Sequence, residues 1–161
     1  MVESTALEMR RGCKPTVGSN PTLSAMDPRT AGGLPLKIFV DGGCRPNPGE
    51  MQVAVVARGV VHHFAGLGQG SSEQAEWLAL LHGLRIAKTA GERDIVLLGD
   101  SASVIAQANG QAKCRNAEFF EQFQGQAATF ERVRVRYVKR TQNLAGIALK
   151  TLGILTLAER E

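Results

Sequence analysis

The sequence predicts a three-layer α/β fold in which a mixed five-stranded sheet is flanked by helices. Three observations support this fold class. Short apolar segments separated by turn residues follow Leu36, large apolar residues then recur at helical spacing, and a nearly continuous apolar run at 94–100 has the composition of a buried parallel strand. Strands and helices that alternate in this way are typical of a layered α/β domain.

The first part of the domain is predicted to be an antiparallel meander. Three short runs have the apolar composition of strands: 36–41, 52–58 and 59–66. The first run ends at Asp41, and the segment 42–49 after it is dense in glycine and proline, which indicates a turn. The step from Arg58 to Gly59 between the other two runs suits a tight hairpin.

The second part is predicted to alternate helices with strands. Ser71 and Gln74 form a capping-box pattern that opens a helix, and Gly91 ends it. The strict alternation at 132–140 indicates a strand with one basic face, made by Arg132, Arg134 and Arg136. The remaining elements are predicted as a strand at 94–100 and helices at 101–108, 116–130 and 143–158.

Composition and charge are those of an ordinary soluble chain. Its 161 residues suggest one domain, and 43% hydrophobic with 21% charged residues exclude general disorder and a coiled coil. The net charge of +4 permits an anionic partner without requiring one. The apolar stretch at 143–158 is short and interrupted by Lys150, so no membrane span is predicted. The spacing of the three cysteines matches no zinc-binding pattern, and no secretory signal is recognised in the sequence. Both observations favour a location in the reducing cytoplasm.

Residues 1–35 differ from the rest of the chain. They hold several Pro, Ser, Thr and Gly residues without strand or helix periodicity, so we expect a disordered tail before a folded domain at 36–158. A second interpretation stays open. The segment 18–21 (GSNP) can be encoded by the T-arm of a transfer RNA gene, in which case the true start is Met26. Upstream DNA that does not fold into a cloverleaf would exclude this second interpretation.

Three acidic residues stand where a layered fold would bring them together. Asp41 ends the first strand, Asp100 ends the fourth, and Glu76 lies in the first turns of the long helix. Sites in open α/β sheets form beyond the carboxyl ends of strands, so neighbouring strands would bring these acids together. Close carboxylates repel one another unless a cation lies between them, and their oxygens suit Mg²⁺ or Mn²⁺. Taken singly, each acid could also be a solvated strand end or a helix-start carboxylate.

Four short motifs, in order, resemble those of type I ribonuclease H. The first resembles the family's Asp-Gly turn that leads to Asn-Pro-Gly, the second its helix motif with a metal-binding Glu, and the third its Asp-Ser motif. The last is similar to the family's final strand and the Asn-x-x-Ala-Asp after it. The motifs are VDGGCRPNPG at 40–49, SEQAEWLAL at 72–80, LGDS at 98–101, and VRYVKR at 135–140 with NLA at 143–145.

This resemblance covers roughly residues 36–150 and implies a ribonuclease H-like fold and a nuclease that hydrolyses the RNA strand of RNA–DNA hybrids. It implies two Mg²⁺ or Mn²⁺ ions, with Asp41 bridging both and with Glu76 and Asp100 completing the coordination. It also implies that the opening turn reads the 2′-hydroxyl, which distinguishes RNA from DNA. The implied substrate-binding residues are Gly42, Gly43, Cys44, Asn47, Ser71 and Ser72. For Cys44, a small half-buried apolar residue is the alternative.

The sequence departs from the family at the last helix. The family's fourth carboxylate falls at Ile147, and a shift of one residue gives Gly146, which offers no ligand either. The family's histidine before that helix has no counterpart in 139–142. We expect Ile147 to face the metal cluster, while packing against the sheet is the alternative.

Three functions therefore stay compatible with the sequence. The first is a hybrid-cleaving enzyme, with activity reduced by the missing carboxylate. The second is a ribonuclease H-fold module that binds nucleic acid or a protein partner and cleaves poorly or not at all. The third is a metal-dependent nuclease from another branch of the same fold, with DNA or hybrid as substrate. The basic face of the last strand is expected to contact phosphate, or else to be a solvated strand face.

Overall fold

The computed structural model describes residues 33–158, with side chains described up to residue 152. Residues 33–35 have no regular secondary structure, and the unit that contains the sheet begins at Leu36. Both interpretations of residues 1–35 therefore fall almost entirely outside the described residues.

The elements follow the predicted order, with one short strand added. The strands are β1 (Leu36–Cys44), β2 (Gly49–Ala57), β3 (Val60–Phe64), β4 (Gln69–Gly70), β5 (Asp94–Gly99) and β6 (Arg132–Tyr137). The helices are α1 (Ser72–Thr89), α2 (Ala102–Ala108), α3 (Ala117–Ala127) and α4 (Leu144–Ala158), with a 3₁₀ turn at Arg140–Gln142.

The sheet is mixed and has the strand order β3-β2-β1-β5-β6, with the two-residue β4 paired to β2. β1–β2 and β2–β3 are antiparallel, whereas β1–β5 and β5–β6 are parallel. The mixed five-stranded sheet of the prediction is confirmed. Because β1 and β5 are parallel neighbours, their carboxyl ends meet at one edge of the sheet, where sites form in α/β folds.

β1 is longer than the sequence predicts. The apolar run predicts a strand that ends at Asp41 and a turn at 42–49, but β1 pairs with β2 through Cys44, and the turn is confined to 45–48. Glycine is depleted in strands, so local propensity favours a turn there. Pairing with β2 overrides this local preference, and Asp41 therefore lies within the strand rather than at its end.

The β2–β3 hairpin forms as predicted. Its two connecting residues, Arg58 and Gly59, have φ angles of 53° and 78°. Positive φ at both central positions defines a type I′ turn, whose twist matches that of the flanking strands. Glycine adopts this conformation without steric strain.

Two apolar layers lie on opposite faces of the sheet. Successive residues of β2 alternate between them, with Val55 in the layer beneath α1 and Val56 in the layer beneath α4. Trp77 of α1 is fully buried and packs edge-to-face with Phe120 and Phe123 of α3, at centroid distances of 6.2 and 6.0 Å. The structure thus confirms three layers. No described helix is both long and apolar enough to cross a membrane.

The basic face predicted on β6 is smaller than expected. Nη2 of Arg134 lies 2.5 Å from Oδ1 of Asp94, and the arginine side chain is half-buried. Arg136 is exposed. The alternation of the sequence predicts which side chains share a face, but it does not show that the register places Asp94 beside the strand.

Candidate active site

Three carboxylates converge near the carboxyl ends of β1 and β5. Asp41 lies in β1, Asp100 directly follows β5, and Glu76 lies in the second turn of α1. One oxygen atom from each of them lies within 4.8 Å of the other two. The structure thus brings together the three acids that the sequence analysis selected, and their role as metal ligands stays a prediction.

Gly42 allows Glu76 to lie next to Asp41. A Cβ atom on Gly42 would lie 2.1 Å from the carbonyl oxygen of Ala75 and 2.9 Å from the backbone nitrogen of Glu76. No side chain fits in this space, so β1 and α1 meet backbone to backbone. The Gly42 N–H also hydrogen-bonds to the carboxylates of Asp41 and Glu76.

The start of α1 is fixed by the capping box that the sequence predicts. Ser71 Oγ accepts a hydrogen bond from the Gln74 N–H at 3.2 Å, and Gln74 Oε1 accepts one from the Ser71 N–H at 2.9 Å. This cap fixes the first turn of the helix and hence the position of Glu76 one turn later. The Ser71 hydroxyl, predicted to contact substrate, serves here as the helix cap.

Asn143 is a buried residue that the sequence analysis placed in a motif without assigning it a role. Its side chain is fully buried, and its Nδ2 donates to the Val40 carbonyl oxygen and to Asp100 Oδ2, both at 3.0 Å. Its Oδ1 accepts from the Ala145 N–H at 3.1 Å, which caps α4. One amide therefore joins β1, α4 and the acid after β5. The sequence signal that could have revealed the helix cap is an asparagine at the predicted start of the last helix.

Backbone forms another side of the cluster. An added Cβ atom at Gly146 would lie 3.4 Å from Asp100 Oδ2 and 3.5 Å from Asp41 Oδ2. Ile147 is 48% exposed, so the alternative that it packs in the core is wrong. In residues 33–152 the acid cluster has no fourth member. That Ile147 faces a metal ion stays a prediction.

The cluster holds its negative charge at a free-energy cost. Burial, followed by the charge of Asp100, raises the pKa of Asp41 to about 6. Burial, followed by the charges of Asp41 and Asp100, raises the pKa of Glu76 well above its usual value. Nε of Arg140, on an exposed side chain, lies 3.9 Å from Asp100 Oδ1 and opposes the rise in the pKa of Asp41. The cluster is therefore suited to a cation.

The metal-free protein is expected to become less stable as pH rises from about 4 to about 7. The folded-state pKa of Asp41, about 6, lies above the ordinary value of 3.8. Between these values the native state binds more protons than the unfolded state, so the free energy of unfolding falls with rising pH. Urea unfolding in a chelator at both pH values measures this decline. An equal decline in an Asp41→Asn/Glu76→Gln variant would assign it to other groups.

A second polar group surrounds Cys44. Its Sγ is buried and lies 3.4 Å from the Gly70 carbonyl oxygen, 3.5 Å from Asn47 Oδ1 and 3.6 Å from Ser72 Oγ. The Ser72 N–H donates to Asn47 Oδ1 at 3.2 Å. Three of the residues predicted to bind substrate are thus adjacent. Gly43 has no heavy atom within 4 Å of an added Cβ, so it borders open space.

Replacement of Asn143 by Ala is expected to weaken binding of divalent cations about tenfold, because Asp100 loses the donor that orients it. The variant should also lose about 2 kcal/mol of unfolding free energy, since the Val40 carbonyl and the α4 cap lose partners. Calorimetric titration with Mn²⁺ measures the first effect and urea unfolding the second. Leu144→Ala, at an exposed neighbouring position, is the matched control. Unchanged Mn²⁺ affinity in a folded Asn143→Ala protein would contradict the positioning role.

Comparison with known sequences identifies related proteins. The profile of the family described as Reverse transcriptase-like matches residues 39–150. The bifunctional protein Rv2228c of Mycobacterium tuberculosis is 29% identical over 115 residues, which cover 66% of this chain and 32% of that protein. The chain thus spans about a third of the length of the curated relatives that it matches.

Solved structures of ribonuclease H proteins are also similar to this chain. The N-terminal RNase H domain of Rv2228c, fused to maltose binding protein, superposes with a TM-score of 0.65 at 26% identity over 77% of this chain and 99% of that one. RNase H1 of the archaeon Halobacterium salinarum gives a TM-score of 0.67 at 26% identity over 72% and 94%. LC11-RNase H1, solved with an RNA/DNA hybrid, shares the fold, with a TM-score of 0.61 at 22% identity over 68% and 88%.

Proposed function

Because the chain belongs to the Reverse transcriptase-like family and has the ribonuclease H-like fold, we propose that it is a metal-dependent nuclease that hydrolyses the RNA strand of RNA–DNA hybrids. The observation that carries the proposal is the convergence of Asp41, Glu76 and Asp100 within 4.8 Å. We place this activity in the reducing cytoplasm, with which the free thiols of Cys44 and Cys114 are compatible.

The donor set fits Mg²⁺ or Mn²⁺. Carboxylate oxygens are the ligands that these hard cations take. Burial, and after it the repulsion among the acids, raises the pKa values of Asp41 and Glu76, and a bound cation would favour their charged forms. Asp41 would bridge two ions, and Glu76 and Asp100 would complete their coordination. Two such ions supply an activated water and stabilise the leaving oxygen in an in-line displacement at phosphorus.

The chain's own residues would orient the acids and the substrate. The Asn143 amide holds Asp100 through a hydrogen bond, and the backbone contact at Gly42 holds Glu76 beside Asp41. The group formed by Cys44, Asn47 and Ser72 would contact the RNA strand, where polar atoms can distinguish a 2′-hydroxyl from its absence.

A cleavage assay on end-labelled duplexes tests the proposal. The protein is incubated with Mg²⁺ or Mn²⁺ and with an RNA–DNA hybrid, beside DNA–DNA and RNA–RNA duplexes of the same sequence. Cleavage confined to the RNA of the hybrid, and lost in a chelator, is the expected result. Equal cleavage of the DNA duplex would favour a nuclease of another specificity. No cleavage of any duplex with either metal would contradict the proposal.

A binding module with little or no cleavage is the second candidate function. The observation in its favour is that Gly146, which has no ligand atom, lies against the acids, while the cluster has no fourth acid among residues 33–152. A missing ligand would weaken one metal site and slow the activation of water. This candidate predicts that the protein binds hybrids tightly while cleavage stays undetectable even at high Mn²⁺.

Replacement of Ile147 by Asp is expected to tighten metal binding and to raise hybrid cleavage about tenfold, which corresponds to about 1.4 kcal/mol of transition-state stabilisation. The reason is that the new carboxylate would occupy the position of the family's fourth ligand. Ile147→Asn, which has nearly the same shape but no charge, is the matched control. If the Asp variant folds yet gains neither metal affinity nor rate, the assignment of this position as the missing ligand is wrong.

A further inference from the structure

A group of exposed side chains runs from the end of β6 into the following 3₁₀ turn. The residues of this β6 strip are Arg136, Tyr137, Lys139 and Arg140. Tyr137 is 54% exposed, and the Arg140 side chain is 88% exposed. Within the described part of the chain, Arg136 and Lys139 form no ion pair. The strip therefore presents cationic groups and an aromatic ring to solvent.

The β6 strip adjoins the acid cluster. Tyr137 lies opposite Gly99 in the β5–β6 register, and the Val138 N–H donates to the Gly99 carbonyl oxygen at 2.9 Å. Gly99 directly precedes Asp100, and Nε of Arg140 lies 3.9 Å from the Asp100 carboxylate. The strip is therefore fixed in place beside one of the three acids.

We infer that the β6 strip binds the phosphate backbone of a nucleic-acid strand next to the phosphate held at the acids. This inference rests on the proposed function, which places one phosphate of the strand at the carboxylates. The neighbouring phosphates are anionic. Arg136 and Lys139 are exposed cations without an acidic partner among the described residues, and such cations are suited to phosphates. The Tyr137 ring supplies a flat apolar surface for the sugar between two phosphates.

The geometry of an edge strand explains how one strand of nucleic acid reaches all four side chains. Arg136 and Tyr137 are successive residues of β6, so their side chains leave opposite faces of the sheet. β6 is an edge strand of the sheet, so a bound nucleic-acid strand that passes around this edge can contact side chains on both faces. The bound backbone would therefore cross the end of β6 on its way from the acids.

Binding without cleavage tests the inference. In an Asp41→Asn background, the affinity for a fluorescent RNA–DNA hybrid is measured by anisotropy over a series of salt concentrations. Arg136→Gln/Lys139→Gln is expected to weaken binding about tenfold and to reduce the slope of log affinity against log salt by about 1 to 2. The matched control, Arg85→Gln/Lys88→Gln, removes the same charge from exposed positions of α1, at least about 14 Å along the helix from Glu76.

Tyr137 is tested separately because its contribution is not ionic. Tyr137→Ala is expected to weaken binding about threefold with an unchanged salt slope, whereas Tyr137→Phe keeps the ring and the affinity. Equal affinity and slope in the Arg136/Lys139 double variant and its control would overturn the inference, as would a parent protein that does not bind the hybrid. A parent that binds through the β6 strip but cleaves nothing would contradict the proposed function while supporting the inference.

Discussion

Replacement of Asp41 by Asn is expected to abolish hybrid cleavage and, in the same protein, to raise the free energy of unfolding. The loss of rate should exceed about a thousandfold, since the residue proposed to bridge both ions is removed, and this corresponds to about 4 kcal/mol. The gain in stability has an electrostatic origin. Burial and the charge of Asp100 raise the pKa of Asp41 to about 6, so at neutral pH the folded state carries a charge that it disfavours.

The Asp41→Asn variant should gain about 1 to 2 kcal/mol of unfolding free energy near neutral pH. This gain is smaller than the full pKa shift of Asp41 implies, because solvent reaches the half-buried carboxylate and screens its charge. It should vanish below about pH 4, where Asp41 is protonated in both states. Urea unfolding in a chelator at the two pH values measures it. Glu118→Gln, an exposed carboxylate on α3, is the matched control. A variant that cleaves like the parent, or that is less stable at neutral pH, would refute the assignment of the cluster.

Replacement of Gly42 by Ala is expected to destabilise the protein by about 3 kcal/mol or more and to reduce cleavage about a hundredfold. The added methyl group would overlap the Ala75 carbonyl oxygen, 2.1 Å away, and backbone atoms cannot rotate aside as a side chain can. α1 would have to move away from β1, which would carry Glu76 away from Asp41. Thermal unfolding and the hybrid cleavage assay measure the two effects.

The adjacent glycine provides the control for this substitution. Gly43 has no heavy atom within 4 Å of an added Cβ, so Gly43→Ala should change the unfolding free energy by less than about 1 kcal/mol. Both residues lie in the same strand, and both variants introduce the same methyl group. If the two variants were equally stable, close contact between β1 and α1 would not be what positions Glu76.

The positions of the three acids could be predicted from the sequence because each follows from a strong local signal. Asp100 ends a continuous apolar run, and the capping box at Ser71 fixes the turn on which Glu76 lies. The parallel pairing of β1 and β5 then follows from general rules for α/β folds. The sequence places Asp41 near the other two acids, as the structure does, but it does not predict the extent of β1, because sheet pairing decides whether 42–44 are extended.

Other features depend on tertiary packing that a sequence pattern does not specify. The approach of Gly146 to the acids depends on where α4 begins and how it lies on the sheet, and counting residues from Asn143 does not supply that orientation. The hydrogen bonds of the Asn143 amide join parts of the chain that are 103 and 43 positions apart. The ion pair of Arg134 depends on the β5–β6 register. Each of these contacts becomes visible only when the complete sheet is assembled.

The central position of β1 also affects the order in which the chain can fold. Its antiparallel pairing with β2 needs only a short turn, so the β1–β2–β3 meander can form from local contacts soon after these residues are synthesised. Its parallel pairing with β5 must close a much longer loop, and the hydrogen bond from Asn143 to Val40 must close one of 103 positions. We therefore expect tight cation binding to appear late in refolding, after most secondary structure, so that it reports on completion of the native state.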